Sequence, residues 1–234
     1  MTKLTLKNPD LPSYSMTLPV SKKTAKFRPF VVREEKVLLI ALQTQNEQTI
    51  CDAMNTILMS CTNGELDTKK MCYADTEYAF LQLRAKSVGE EAKPQVQCKN
   101  CGSENSLKIR VDQFTVNKTE KLPDNNIKIY DDIVLIMQHP TIHDRDTGED
   151  KVDAMFEMAK RCVDGVIMND ELFKREDIDP KELSEFIDNL MPSEFEKILK
   201  FFEQTPKINY DVSYTCPSCK TKVKVRFKSI VDFF

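Results

Sequence analysis

The chain has 234 residues, a net charge of −3, hydrophobic and charged fractions of 41% and 30%, only 5 glycines and no tryptophan. That composition excludes a collagenous, low-complexity or wholly disordered chain and gives no global electrostatic pull toward nucleic acid. No stretch approaches the roughly 18 apolar residues of a membrane helix, and the N-terminus lacks the apolar core of a secretion signal, so a cytoplasm is the expected setting.

Residues 1–26 carry Pro9, Pro12 and Pro19 among short alternations such as Leu4-Thr5-Leu6 and Met16-Thr17-Leu18. Proline is poorly tolerated in a central strand, so an extended N-terminal arm is expected, lying on a partner or on the domain surface. Residues 27–92 read as a helical block. After Phe27-Arg28-Pro29-Phe30, helix formers run from Arg33 to Leu42. Ile50, Ala53, Met54, Ile57, Leu58 and Cys61 then form an amphipathic stripe that stops near Asn63-Gly64. Asp75 to Glu90 predicts a third helix, acidic at its start, basic near its end and stopped by Gly89.

Residues 93–140 hold the first of two CxxC pairs, Cys98-Lys99-Asn100-Cys101, followed by Leu107, Ile109 and Val111 alternating with Lys108, Arg110 and Asp112. That is strand period. A turn at 122–126 and a buried strand over Ile133–Met137 come next. Residues 141–206 read as a second helical block. The loop from His139 to Asp146 is polar, but two isolated histidines without a nucleophile or orienting group do not make a catalytic site. Val152, Met155, Phe156, Ala159, Cys162, Val163, Val166 and Ile167 predict one long helix. Asp179-Pro180 opens another, and Ser193 with Glu196 has the pattern of a capping box for a third.

Residues 207–234 contain the second pair, Cys216-Pro217-Ser218-Cys219, between Tyr210, Val212 and Tyr214 on one side and Val223, Val225 and Phe227 on the other. Each CxxC is therefore expected at the tip of a β-hairpin. A knuckle with two thiolates is half of a tetrahedral zinc site, and Cys98, Cys101, Cys216 and Cys219 together would make a closed structural site with no position for substrate. Separate knuckles and a redox pair are the alternatives, although a redox motif of thioredoxin type needs a βαβ context that is lacking. Cys51, Cys61, Cys72 and Cys162 read as small buried hydrophobes. Phe233 and Phe234 are expected to bind a partner, as aromatics anchor interfaces; the other reading is that the tail closes the core. The fold class expected is α+β: one compact domain with helical blocks around a small antiparallel platform and a zinc-ribbon-like site built from two distant hairpins.

Phe27-Arg28-Pro29-Phe30 followed by Glu34-Glu35-Lys36, Leu83-Arg84-Ala85-Lys86-Ser87-Val88-Gly89-Glu90 ahead of the first CxxC, and Asp232-Phe233-Phe234 after the second recur in an order that resembles the baseplate hub proteins of T-even-type contractile-tailed bacteriophages. The resemblance implies a non-enzymatic virion-assembly protein, either a hub component or a chaperone for hub assembly. Its partners would be other hub proteins, and it would reside in the host cytoplasm during assembly and in the tail baseplate. The zinc site is a reading of the cysteines, not of the resemblance. No phosphate loop, HExxH, nucleophile elbow or suggestive carboxylate pair is found. The alternative function is a nucleic-acid-binding zinc ribbon, motivated by Lys220, Lys222, Lys224, Arg226 and Lys228; the acidic total and the lack of interleaved aromatics oppose it.

Overall fold

The computed structural model describes residues 10–114, 116, 123–144, 151–227 and 233. In chain order the elements are β1 (Tyr14–Thr17), β2 (Thr24–Phe27), α1 (Val32–Gln43), α2 (Glu47–Cys61), α3 (Tyr73–Ser87), β3 (Glu91–Ala92), β4 (Gln95–Gln97), β5 (Glu104–Ser106) and β6 (Ile109–Arg110). There follow β7 (Asn126–Lys128), β8 (Ile133–Met137), α4 (Lys151–Arg161), β9 (Val163–Met168), β10 (Glu171–Lys174), α5 (Pro180–Asp188), α6 (Pro192–Gln204), β11 (Asp211–Thr215) and β12 (Lys222–Arg226). The fold is α+β, and every strand pairing is antiparallel.

Two hydrophobic cores organise these elements. The first gathers the N-terminal hairpin, α1 to α3, the first CxxC region and, from far along the chain, Ile208, Tyr210, Phe227 and Phe233. The second lies between the sheet β10-β9-β8-β7 and helices α4 to α6, with Leu135, Met137, Ile187 and Ile198 almost fully buried. The second core thus forms from sequence inserted between two segments of the first. That insertion is why the two CxxC pairs stand so far apart in the chain.

The described part of the expected arm is a hairpin, β1 paired with β2, and not a loose extension. Its alternation puts Met16, Leu18, Ala25 and Phe27 into the first core, and the Asp75 carboxylate accepts hydrogen bonds from the Val20 and Ser21 amides at 2.8 and 2.9 Å. Residues 1–9 lie outside the described residues. α3 is buried on nearly all sides, as a helix at the centre of a core must be.

The entry into α1 is held by one ion pair. Arg28 and Glu34 meet through two hydrogen bonds of 2.6 and 3.0 Å; the carboxylate also accepts from the Val31 amide at 2.8 Å and the Ser60 hydroxyl at 2.8 Å. Burial alone would raise the Glu34 pKa, but Arg28, the Val31 amide and Ser60 together outweigh it and hold the carboxyl at about 2. A carboxyl depressed in the folded state contributes stability above its unfolded pKa, and that contribution is lost as pH falls from about 4.3 toward the folded value. Glu34→Gln should therefore cost about 2 kcal/mol at pH 6 and much less at pH 3. Urea unfolding at the two pH values checks this, and equal stability of both proteins at pH 6 would sink it.

The single long helix expected over 152–167 divides. α4 ends at Arg161, and Val163–Met168 form β9, which pairs with β8 and, through Asn169-Asp170, with β10. Asn169 and Asp170 both have positive φ, 52° and 65°, the two-residue hairpin geometry that these side chains tolerate. Val163, Gly165, Val166 and Ile167 are poor helix residues, and the pairing with Val134 and Leu135 decides in favour of strand. The capping box at Ser193 does not form either: Pro192 takes the first helical position, Met191 is the cap residue, and the Ser193 hydroxyl donates to Glu194. Asp179 does cap α5, accepting from the Lys181 amide at 2.7 Å.

Candidate metal centre

The two CxxC pairs occupy the tips of the hairpins β4–β5 and β11–β12. Each tip is built the same way. The Cys98 amide donates to the Ser103 carbonyl and the Gly102 amide to the Cys98 carbonyl, at 2.9 and 2.8 Å; the Cys216 amide donates to the Thr221 carbonyl and the Lys220 amide to the Cys216 carbonyl, both at 2.9 Å. The residue after the second cysteine turns through positive φ in each, 74° at Gly102 and 60° at Lys220. Glycine makes that turn without strain, while Lys220 is held in it by the hairpin.

The hairpins face one another and bring all four sulfurs within 4.8 Å of each other. Cys98 Sγ lies 3.8 Å from Cys219 Sγ, and Cys101 Sγ lies 3.8 Å from Cys216 Sγ. Four thiolates bound at ~2.3 Å to one tetrahedral ion would have sulfur–sulfur edges of about 3.8 Å, so the cluster has the dimensions of a four-cysteine metal site. All eight cysteines are free thiols. Cys98 and Cys216 are buried, Cys219 half-buried and Cys101 exposed, and the cluster lies beside a small apolar group around Val223.

The surroundings favour thiolate at Cys219 and Cys216, whereas at Cys98 the Cys101 and Asn100 backbone amides are outweighed by desolvation and by hydrogen bonding to Cys216 and Cys101, which hold the thiol above its ordinary value. The Thr221 hydroxyl, the Asn100 amide and the Thr221 backbone amide bring Cys219 down to about 5. The Cys219 backbone amide and the Ser103 hydroxyl bring Cys216 to about 7. By contrast, burial pushes Cys61 up to about 11, and Cys72 and Cys162 up to about 12, as befits thiols used for packing. A cation held among the four sulfurs would offset the repulsion between these thiolates.

A polar shell missed in the sequence supports the cluster. Ser103 Oγ lies 3.2 Å from Cys101 Sγ and 3.4 Å from Cys216 Sγ, and the Asn100 amide donates to Thr221 Oγ1 at 3.2 Å, linking the two tips. Aligning the two tips residue by residue would have revealed the pair, because Ser103 and Thr221 both stand two places after the second cysteine.

Phe233, expected to face a partner, is buried at 4% exposure against Phe114, Tyr210 and Phe227, with ring centroids 5.0–5.6 Å away. A flat apolar ring next to three others is better satisfied inside than in water, and the Arg84 guanidinium donates to the Phe233 carbonyl at 3.1 Å. Phe234 lies outside the described residues. On the basic strand, Arg226 and Lys224 both pair with Asp211, at 2.6 and 3.2 Å, so one carboxylate offsets part of the strand's charge within the hairpin.

Two segments far apart in sequence converge on α3. The Phe30 amide donates to Ser87 Oγ at 3.0 Å, Arg84 holds Phe233, and Arg28 with Glu34 fixes the adjoining start of α1. No curated protein and no solved structure matches the chain. A family model described as T4 bacteriophage base plate protein matches residues 11–234, and the chain therefore belongs to that family.

Proposed function

We propose that the protein acts in building the central hub of the phage baseplate, as a hub component or as a chaperone for hub proteins, and that its four clustered cysteines hold a structural zinc. Membership of the baseplate family carries the first part, and the four sulfurs within 4.8 Å carry the second. A closed four-thiolate site suits zinc as a staple: it satisfies the ion and leaves no coordination position for a substrate. The chain then works by presenting surfaces, without catalysis, to other hub proteins in the host cytoplasm and in the baseplate. No described helix is long and apolar enough to cross a membrane.

The zinc ties the hairpin that precedes the inserted lobe to the hairpin that follows it, so metal binding and closure of the first core are one event. Elemental analysis of the purified protein should find one zinc per chain, with Cys98, Cys101, Cys216 and Cys219 protected from alkylation until a chelator is added. Freely reactive thiols in metal-free protein would remove the staple. Quantitative mass spectrometry of purified virions separates the two assembly roles: stoichiometric presence marks a component, and absence together with hub-less baseplates after gene disruption marks a chaperone. Virions with normal hubs made without this chain would refute both.

A further inference from the structure

The four clustered sulfurs are unevenly open to solvent, and the most open one faces a sulfur of the other hairpin. Cys101 is exposed, whereas Cys98 and Cys216 are buried and Cys219 is half-buried. Cys101 Sγ lies 3.8 Å from Cys216 Sγ, which belongs to a residue 115 positions further along the chain. The Ser103 hydroxyl stands against both sulfurs, 3.2 Å from Cys101 Sγ and 3.4 Å from Cys216 Sγ, and the Asn105 amide reaches Cys216 Sγ at 4.0 Å. A disulfide has a sulfur–sulfur length of ~2.05 Å, so the two side chains have a gap of about 1.8 Å to close between them. A sulfur within reach of an oxidant, with a second sulfur behind it to displace the oxygen, is the arrangement of a thiol pair that oxidises reversibly.

We infer that Cys101 and Cys216 form a peroxide-oxidisable pair whose disulfide ties the two hairpins together when no metal does, with Ser103 positioning the proton transfer. The Cys101 thiol attacks the peroxide: an S–O bond forms, the O–O bond breaks, and one water leaves as Cys101 becomes a sulfenic acid. Cys216 Sγ then attacks Cys101 Sγ from the other tip, and the S–S bond forms as the S–O bond breaks. The departing hydroxide takes the Ser103 hydroxyl proton while Ser103 takes the Cys216 proton, and a second water leaves. Two thiols have lost two electrons, and the peroxide has been reduced to two waters. Cys98 and Cys219, also 3.8 Å apart, are less open to the first step. The bond so made is the long-range one. It joins the hairpin that precedes the inserted lobe to the hairpin that follows it, which closure within either CxxC would not do.

The inference uses the sulfur cluster but not the zinc reading. The test starts from the full chain as purified and adds hydrogen peroxide in small excess, together with a chelator that takes up any metal the sulfurs release. Mapping of unreduced peptides should find a disulfide between Cys101 and Cys216. The oxidised chain should melt at least about 5 °C above the reduced chain held in the same chelator, because the bond closes a long loop. In Cys216→Ser, the sulfenic-acid trap dimedone should label Cys101. Ser103→Ala keeps all four cysteines and so tests the pair even where Cys216→Ser does not fold; it should slow disulfide formation at least about fivefold, and Ser103→Thr should restore the rate. Bonds confined to Cys98–Cys101 and Cys216–Cys219, or Cys101 carried on to sulfinic acid with Cys216 still reduced, would overturn the inference. Parent-like rates in Ser103→Ala would overturn the part given to Ser103. Absence of metal from the protein as purified would overturn the zinc reading alone and leave the Cys101–Cys216 bond to be decided by the same map.

Discussion

Cys216→Ser should be the most damaging single substitution in the chain, abolishing stoichiometric metal and lowering the unfolding free energy by at least about 3 kcal/mol. The Cys216 sulfur is fully buried, 3.8 Å from Cys101 Sγ, and is approached by Ser103 and Asn105. Serine offers a weaker ligand that does not ionise at neutral pH, and it leaves three thiolates crowded without a full coordination shell. Because the two hairpins meet at this cluster and come from opposite ends of the inserted lobe, the loss is not local. It frees the return of β11 and β12 onto the first core. Chemical denaturation with elemental analysis is the check. A Cys216→Ser protein that unfolds at the parent's midpoint and still carries one metal per chain would refute the shared centre, while Cys61→Ser, remote from the cluster, should keep its metal.

Phe233→Ala should cost about 3 kcal/mol, in the range for removing a buried phenylalanine. Four aromatic rings meet here. Phe114 follows the first CxxC region, Tyr210 and Phe227 flank the second hairpin, and Phe233 closes the group from the tail. Truncating Phe233 removes its ring contacts to Phe114, Tyr210 and Phe227 at once and leaves a cavity among them. Phe233→Leu retains part of the volume and should recover more than half of the loss. Thermal unfolding of both variants measures the effect. If Phe233→Ala melted with the parent while weakening a complex with a baseplate protein, the ring would be serving a partner, as a sequence reading of the tail suggests.

Elements with strong local codes were legible. α2 follows from the spacing of Ala53, Met54, Ile57, Leu58 and Cys61, all buried, and α5 from Asp179-Pro180. The second hairpin follows from alternation on both sides of its CxxC; after the first CxxC the alternating Leu107, Ile109 and Val111 are buried as expected, but the run divides, since the hairpin strand is Glu104–Ser106, Ile109–Arg110 pairs with β3 and Val111–Gln113 form a 3-10 turn. The meeting of the four cysteines was legible for the same reason: a CxxC turn is a local structure, and two half-sites have one obvious complement. Ser103, Asn100 and Thr221 were not legible, since small polar residues in turns have many uses and only the meeting of the tips gives them this one.

The α4–β9 boundary shows where local information ends. Apolar positions at Val163, Val166 and Ile167 fit a helical stripe as readily as a strand, and the choice was made by hydrogen bonding to β8 and by the turn at Asn169-Asp170. The tail and the N-terminal hairpin make the same point, because short runs with aromatic or alternating residues do not say which surface will receive them. By itself the sequence determined the helices with clean periodicity and the two CxxC knuckles, since each depends on neighbours within a few residues. Tertiary structure alone decided that a second core would be inserted between the knuckles and that Phe233 would be buried, because each depends on packing between segments far apart in the chain.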